Sequence, residues 1–144
     1  MTKFDYMKIA LEEAKKSLKS NDVPVGAVIV LDGKVISKAH NKREKTGLVS
    51  AHAEILAINK ANKKVKNFRL DKAEIYVTKE PCLMCMGACL SARLKKIYFG
   101  ASDDRFGTKE FAQNNKFNHK CQIEGGILEA ECKSLLSNFF KKLR

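Results

Sequence analysis

The spacing of apolar residues predicts an amphipathic helix near each end of the chain. Within residues 3–19 the apolar positions form a stripe made of Met7, Leu11, Ala14 and Leu18. Within residues 128–143 they form a second stripe made of Leu128, Cys132, Leu135, Phe139 and Leu143. Recurrence every three or four residues places these side chains on one face of an α-helix, so both segments are predicted to pack against a core.

Between these helices, short strand-like runs alternate with helical ones. The segment VPVGAVIVLDGKVISKAHN predicts a β-hairpin, with strands over residues 25–31 and 34–40 and a turn at Asp32-Gly33. The remaining elements are predicted in the order helix, strand, helix, strand and short strand, at residues 51–62, 73–78, 82–93, 95–101 and 121–126. Residues 102–120 are polar and are predicted to be irregular, with one short helix.

This alternation favours an α/β fold, a three-layer α/β/α sandwich around a central mixed sheet of about five strands. A chain of 144 residues is expected to form one domain over residues 1–144. The second and third helices both adjoin strand connections. Their N-terminal ends are therefore expected to meet at one edge of the sheet, where the segments HAE and PCLMC lie.

Charge and cysteine content narrow the range of functions. The formal net charge is +12 and the pI is about 9.6, which suits a polyanionic partner such as nucleic acid but also a surface made soluble by lysines. No apolar run approaches the roughly 20 residues of a membrane-spanning helix, and the N-terminus lacks the pattern of a signal peptide. Five cysteines, an odd number, argue against a disulfide framework. The predicted location is the cytoplasm, with reduced thiols.

The segment PCLMC, residues 81–85, places two thiols on one face at the start of a predicted helix. Free backbone N–H groups there favour thiolate over thiol. Such a pair occurs in thioredoxin-like redox motifs, in structural zinc sites and in apolar cores. A structural four-cysteine site needs a second C-x-x-C pair, which the sequence lacks. The isolated Cys89, Cys121 and Cys132 are predicted to pack in the core.

The segment SAHAEILAI places His52 and Glu54 in an otherwise apolar run. One imidazole and two thiolates make three zinc ligands and leave a fourth position for water, the pattern of catalytic zinc. A neighbouring carboxylate can then accept the proton that the water loses. Residues two apart on a helix point in roughly opposite directions, so His52 and Glu54 converge only within the first turn. An N-cap at Ser50 would place both of them there.

His52-x-Glu54 together with Pro81-Cys82-x-x-Cys85 is similar to the signature of zinc-dependent nucleic-base deaminases. The chain resembles the cytidine/deoxycytidylate deaminase superfamily and, within it, the bacterial tRNA-specific adenosine deaminases. The resemblance extends over nearly the whole chain. The segments that carry it are VPVGAVIV, AHAEILAI, IYVTKEPCLMCMGA, IYFGASD, GGIL and LLSNFFKKLR.

The resemblance implies hydrolytic deamination of adenosine to inosine at the wobble position of a tRNA anticodon. It implies one Zn²⁺ per subunit, held by His52, Cys82 and Cys85, with Glu54 as proton shuttle. It also implies a homodimer that binds the tRNA anticodon stem-loop; neither DNA nor a membrane is an expected partner.

The resemblance further implies that Asn41 hydrogen-bonds the flipped adenine and that Asp103 contacts a flanking ribose. The C-terminal Phe139, Phe140 and Lys141 would supply stacking faces and a phosphate contact. For the two phenylalanines, core packing is the alternative, although adjacent helical residues cannot both face the core.

Three departures from the family pattern concern the substrate more than the chemistry. They are Leu48-Val49-Ser50 before the HAE segment, the sequence after Asp103 within residues 102–120, and His40 at an often aromatic position. The alternatives are a deaminase of a free base or nucleoside such as guanine or cytosine, and a binding module with structural zinc. The net charge favours an RNA substrate over a free base, and Glu54 argues against a module without activity. His40 and His119 are not expected to bind metal.

Overall fold

A mixed five-stranded sheet forms the centre of the computed structural model, which describes residues 1–143. Its strands are β1 (Gly26–Leu31), β2 (Lys34–His40), β3 (Glu74–Lys79), β4 (Lys96–Ala101) and β5 (Gln122–Glu124). The spatial order is β2-β1-β3-β4-β5; β1 pairs antiparallel with β2 and β3, and the other two pairs are parallel. The predicted sheet is confirmed.

The helices begin and end close to the predicted positions. They are α1 (Lys3–Lys16), α2 (Arg43–Thr46), α3 (Ala53–Val65), α4 (Leu83–Ser91), α5 (Lys109–Asn114) and α6 (Glu129–Lys142). The helix α5 is the short one predicted within residues 102–120, whereas α2 lies in a segment predicted as a loop. None of the helices in residues 1–143 combines the length and the apolar character that crossing a bilayer requires.

Two apolar clusters cover the two faces of the sheet, because successive strand residues point to opposite sides. On one face, Ile29, Ile75 and Ile97 pack with α3 and α4. On the other face, Val28 and Tyr76 pack with α1 and α6. This arrangement confirms the predicted three-layer α/β/α sandwich.

Two residues of the predicted helical stripes are exposed, Leu18 and Leu143. The α-helix α1 ends at Lys16 and the chain continues as a 3₁₀ turn over Ser17–Ser20. With about three residues per turn, Leu18 rotates away from the stripe. Leu143 follows the last residue of α6 and lies at the mouth of a cavity.

Candidate active site

A cavity of about 820 Å³ opens at the edge of the sheet where α3 and α4 begin. Most of the residues predicted for the site line it: Asn41, His52, Glu54, Cys82, Asp103, Phe139 and Phe140. This volume is in the range of small-ligand sites in proteins. The expectation that the HAE and PCLMC segments meet at one sheet edge is confirmed.

The starts of two helices bring three metal-ligating side chains together. His52 is the N-cap of α3, Cys82 is the N-cap of α4, and Cys85 lies in the first turn of α4. The Nδ1 atom of His52 is 3.3 Å from the Sγ of Cys85 and 3.6 Å from the Sγ of Cys82. All three ligand atoms lie within 4.8 Å of one another, so this group can hold a metal ion.

The two thiols of this group differ in acidity. A hydrogen bond with Cys85, aided by His52, lowers the pKa of Cys82 to about 3. The pKa of Cys85 is raised, because its thiol keeps the proton of that hydrogen bond and is buried. Cys82 is thus a thiolate at neutral pH, and the N-terminal N–H groups of α4 favour that charge.

The other cysteines lie outside this group. Cys89 and Cys132 are buried in the core, as predicted, and Cys121 is partly buried at its edge. Burial raises the pKa of Cys89, and it raises the pKa values of Cys121 and Cys132 to about 12. These three thiols are therefore protonated at neutral pH.

Glu54 lies in the first turn of α3, only 4% exposed, and lines the cavity beside the three ligand atoms. Burial raises the pKa of its carboxyl group, and the nearby His52 opposes this effect. A raised pKa favours the protonated form, so this carboxyl group can donate a proton as well as accept one. This position suits a general acid and base.

The start of α3 differs from the sequence prediction. The N-cap is His52, not Ser50, and the chain stays extended through His52, with φ of −81° and ψ of 149°. The reason is Asn41, whose side-chain oxygen accepts a hydrogen bond of 2.8 Å from the N–H of Ala53, the first helical residue. Asn41 thus satisfies a free donor of α3 from a distant part of the chain. Its side-chain NH₂ donates to the carbonyl of Val23 at 3.0 Å.

Asp103 lies at the cavity, 3.1 Å from the ammonium group of Lys79. Burial alone would raise its pKa, but hydrogen bonds from the N–H groups of Phe106 and Arg105 and the charge of Lys79 together lower it. Asp103 is therefore an anion at neutral pH.

Sequence reasoning missed Glu80, which also lines the cavity. Its two carboxylate oxygens accept hydrogen bonds from the N–H groups of Asp103 at 3.0 Å and Lys109 at 2.9 Å. The position of Glu80 directly before Pro81 is the feature of the sequence that could have indicated its role. A carboxylate that binds two backbone N–H groups links the start of α4 to the loop after β4.

The aromatic end of α6 reaches the cavity with both of its phenylalanines. Phe139 is 8% exposed and Phe140 is 43% exposed, and their rings are 5.3 Å apart in an edge-to-face arrangement. The inner ring therefore belongs to the wall and the outer ring to the mouth. Lys141 is exposed and does not line the cavity.

The other two histidines lie apart from the metal-ligating group. The Nδ1 of His40 contacts the hydroxyl of Ser17 at 3.1 Å, and burial lowers the pKa of His40. The Nε2 of His119 lies 2.8 Å from the carbonyl of Leu94.

Comparison with known proteins identifies the family. The profile of the MafB19-like deaminases matches residues 1–144. A tRNA-specific adenosine deaminase of Bacillus subtilis (strain 168) is 45% identical over 143 residues, which cover 96% of this chain and 89% of that protein. Its counterpart from Aquifex aeolicus (strain VF5) is 43% identical over 148 positions, covering 100% of this chain and 97% of that protein.

A solved structure from studies of A-to-I editing by tRNA:A34 deaminases has the same fold. It superimposes with a TM-score of 0.88 at 38% identity, over 92% of this chain and 99% of that chain. The chain therefore belongs to the family of tRNA-specific adenosine deaminases.

Proposed function

We propose that this chain hydrolytically deaminates adenosine to inosine at the wobble position of a tRNA anticodon. One observation carries the proposal: a buried carboxyl group, Glu54, stands beside three metal-ligating side chains in a cavity. The family membership supports tRNA as the substrate. The net charge of +12 agrees with it, because a free base requires no such excess of cations.

The metal that fits this group is zinc, one ion per subunit, with His52, Cys82 and Cys85 as ligands. In a tetrahedral zinc site, nitrogen and sulfur ligands are roughly 3.6 Å apart. The distances of 3.3 Å and 3.6 Å from the imidazole to the two sulfur atoms agree with this value. When bound, zinc would act as a Lewis acid that lowers the pKa of a water molecule.

Glu54 moves the protons of the reaction. Its carboxylate accepts a proton from the attacking water as the oxygen forms a bond to C6 of adenine. It passes that proton to the ring nitrogen N1 and then transfers the second water proton to the amino group. The C6–N bond breaks, ammonia leaves, and the C6 carbonyl of inosine remains.

Five residues are proposed to bind the RNA. Asn41 and Asp103 are proposed to contact the flipped adenine and a flanking ribose, and both line the cavity. Phe139 and Phe140 supply aromatic faces at its wall and mouth. Lys141 is proposed to meet a phosphate outside the cavity, in agreement with its exposed position.

We further propose a homodimer that works in the cytoplasm. The exposed Leu83 and Met84 of α4 support a partner surface, because exposed apolar side chains on one helix gain from burial between subunits. The reduced thiols and the tRNA substrate agree with the cytoplasm. Sedimentation would test the assembly: a monomer at micromolar concentration would contradict the dimer.

The decisive experiment is to incubate the zinc-loaded protein with an unmodified tRNA that carries adenosine at the wobble position, and to score inosine there. Parallel reactions contain free guanine, cytosine or adenosine, with released ammonia measured. Inosine at the wobble position is the expected result. Ammonia from a free base with intact tRNA would show instead a deaminase of small molecules.

A further inference from the structure

The turn after Asp103 is closed by its own hydrogen bonds. The side chain of Asp103 accepts bonds from the N–H groups of Arg105 at 2.9 Å and Phe106 at 3.0 Å. The N–H of Gly107 donates to the carbonyl of Asp103 at 3.0 Å. Three bonds to one residue leave this turn, residues 103–107, little conformational freedom.

The same turn is fixed to the segment that carries the metal ligands. Glu80 accepts hydrogen bonds from Asp103 and Lys109, on either side of the turn. The hydroxyl of Thr108 donates to the carbonyl of Pro81 at 2.9 Å. A Cβ atom at Gly107 would lie 2.4 Å from both the Glu80 carboxylate and the Asp103 carbonyl, so the backbone approaches too closely for any side chain. The turn is therefore held rigidly beside Cys82.

In the single chain this turn leaves the ring of Phe106 largely in water, next to Leu83 and Met84 of the proposed partner surface. Phe106 is 66% exposed, although it lines the cavity that contains Glu54. A phenyl ring held there gives folding little benefit, because most of its surface stays hydrated. Arg43 lines the same cavity, and Arg105, next to Phe106 in the turn, is exposed. An exposed aromatic face beside cationic groups is the combination by which proteins bind unpaired nucleotides.

We propose that Phe106 is a specificity-determining residue whose ring stacks on the base adjacent to the adenosine being deaminated. This inference rests on the proposed function, since it requires an RNA substrate. The target base must reach Glu54, which is 4% exposed, and so it occupies the interior of the cavity. Phe106 is too exposed to line that interior closely, so its ring meets a neighbouring nucleotide. Because the turn is rigid, the ring is already oriented before the RNA binds.

The first test compares Phe106→Ala with Phe106→Tyr, which keeps an aromatic face. Phe68→Ala is the matched control, because Phe68 is 67% exposed and does not line the cavity. On an anticodon stem-loop, Phe106→Ala should lower kcat/KM by about 5- to 100-fold, mainly through KM. Phe106→Tyr and Phe68→Ala should stay within about twofold of the unchanged protein. Unchanged editing by Phe106→Ala would overturn the inference.

The second test separates stacking from a structural role. It measures deamination, by the unchanged protein and by Phe106→Ala, of stem-loops that lack the base on the 5′ or the 3′ side of the target. If the ring stacks on one of these bases, the loss of kcat/KM from removing that base and the loss from removing the ring should not add, because both changes delete the same contact. Additive losses with both RNAs would overturn the proposal. A changed sedimentation of Phe106→Ala would overturn it as well, because the loss of activity would then come from altered assembly or folding. If the unchanged protein edits no RNA, the proposed function fails first and the inference fails with it.

Discussion

Glu54 is the residue on which the proposed chemistry depends most directly. Replacing Glu54 with Gln keeps the size of the side chain and removes its ability to accept a proton. Zinc content and thermal unfolding should stay unchanged, while kcat should fall by about 100-fold or more, the usual contribution of a general acid and base. Inosine formation and elemental analysis check both parts.

Glu12→Gln is the control, because Glu12 is exposed on α1 and does not line the cavity. Its deamination rate should equal that of the unchanged protein. Normal turnover by Glu54→Gln would show that Glu54 does not transfer the protons of the reaction.

Cys85 provides the second prediction for a single residue, because it is the buried thiol of the metal-ligating group. Cys85→Ser offers zinc a hydroxyl instead of a thiolate, which is a much weaker ligand. The purified variant should contain far less zinc than the unchanged protein and should be inactive.

The control is Cys89→Ala, which removes a buried thiol one turn further along α4. This variant should keep one zinc per chain by elemental analysis. Full zinc occupancy in Cys85→Ser would mean that the proposed ligand set is wrong.

At the scale of elements, two helix starts assemble the site. The first turns of α3 and α4 carry His52, Glu54, Cys82 and Cys85. The N–H groups at the start of α4 favour negative charge, which suits the Cys82 thiolate. Placing ligands on the ends of packed helices fixes their positions more firmly than placing them on loops would.

The packing of α1 on β1 depends on Gly26. A Cβ atom there would lie 2.0 Å from the carbonyl oxygen of Ala10 and 2.6 Å from the nitrogen of Ala14, both backbone atoms of α1. Gly26→Ala should therefore push the helix from the sheet and lower the free energy of unfolding by about 1–3 kcal/mol or more. Urea denaturation measures this change.

Gly87→Ala is the matched control, because a Cβ atom there meets nothing within 4 Å in this chain. Gly87 lies within α4, where alanine is the better helix former by roughly 0.5–1 kcal/mol. This variant should be equally or more stable. Sedimentation of both variants distinguishes a change in assembly from a change in folding, and equal stability of Gly26→Ala would contradict the close approach.

For the whole molecule, the net charge of +12 predicts a strong salt dependence of RNA editing. Cations that meet phosphates release counterions, so affinity falls steeply as salt rises. Between 50 and 200 mM KCl, kcat/KM for tRNA should fall by about 10-fold or more. The measurement is the initial rate at tRNA concentrations below KM.

Exchange of single lysines would locate this effect. Lys141→Gln should reduce the slope of log kcat/KM against log salt by up to about one, the value for one lost phosphate contact. Lys8→Gln should leave the slope unchanged, because no residue of α1 lines the cavity, whereas Lys141 directly follows Phe139 and Phe140, which do. Equal slopes for both variants would show that Lys141 does not contact an RNA phosphate.

Apart from α2, the elements and the types of metal ligand could be predicted from the sequence, because both depend on local information. Alternating apolar positions and the Asp32-Gly33 turn specify the hairpin, whose turn residues have φ of 51° and 75°. The C-x-x-C spacing places both thiols in one helical turn. The proposed zinc chemistry rests on the kinds of ligand present.

Only the tertiary structure decided how distant segments meet. His52 and Cys82 are 30 residues apart in sequence, and their ligand atoms come within 3.6 Å because the sheet order brings two helix starts to one edge. The N–H of Glu80 donates a hydrogen bond to the carbonyl of Ala101 and so continues the parallel pairing of β3 and β4. This pairing brings the Glu80 carboxylate within hydrogen-bond distance of the N–H of Asp103.

The same distinction explains the differences at single residues. Ser50 has the right side chain for an N-cap, yet Asn41 supplies the hydrogen bond from another segment and α3 starts later. The stripe of α6 places Phe139 on the core side, but only the position of α6 beside the cavity brings Phe140 to its mouth. The sequence by itself determined the elements other than α2 and the ligand types, because each depends on residues within a few positions. The tertiary structure decided the shape of the cavity, because contacts between distant segments depend on sheet order and register.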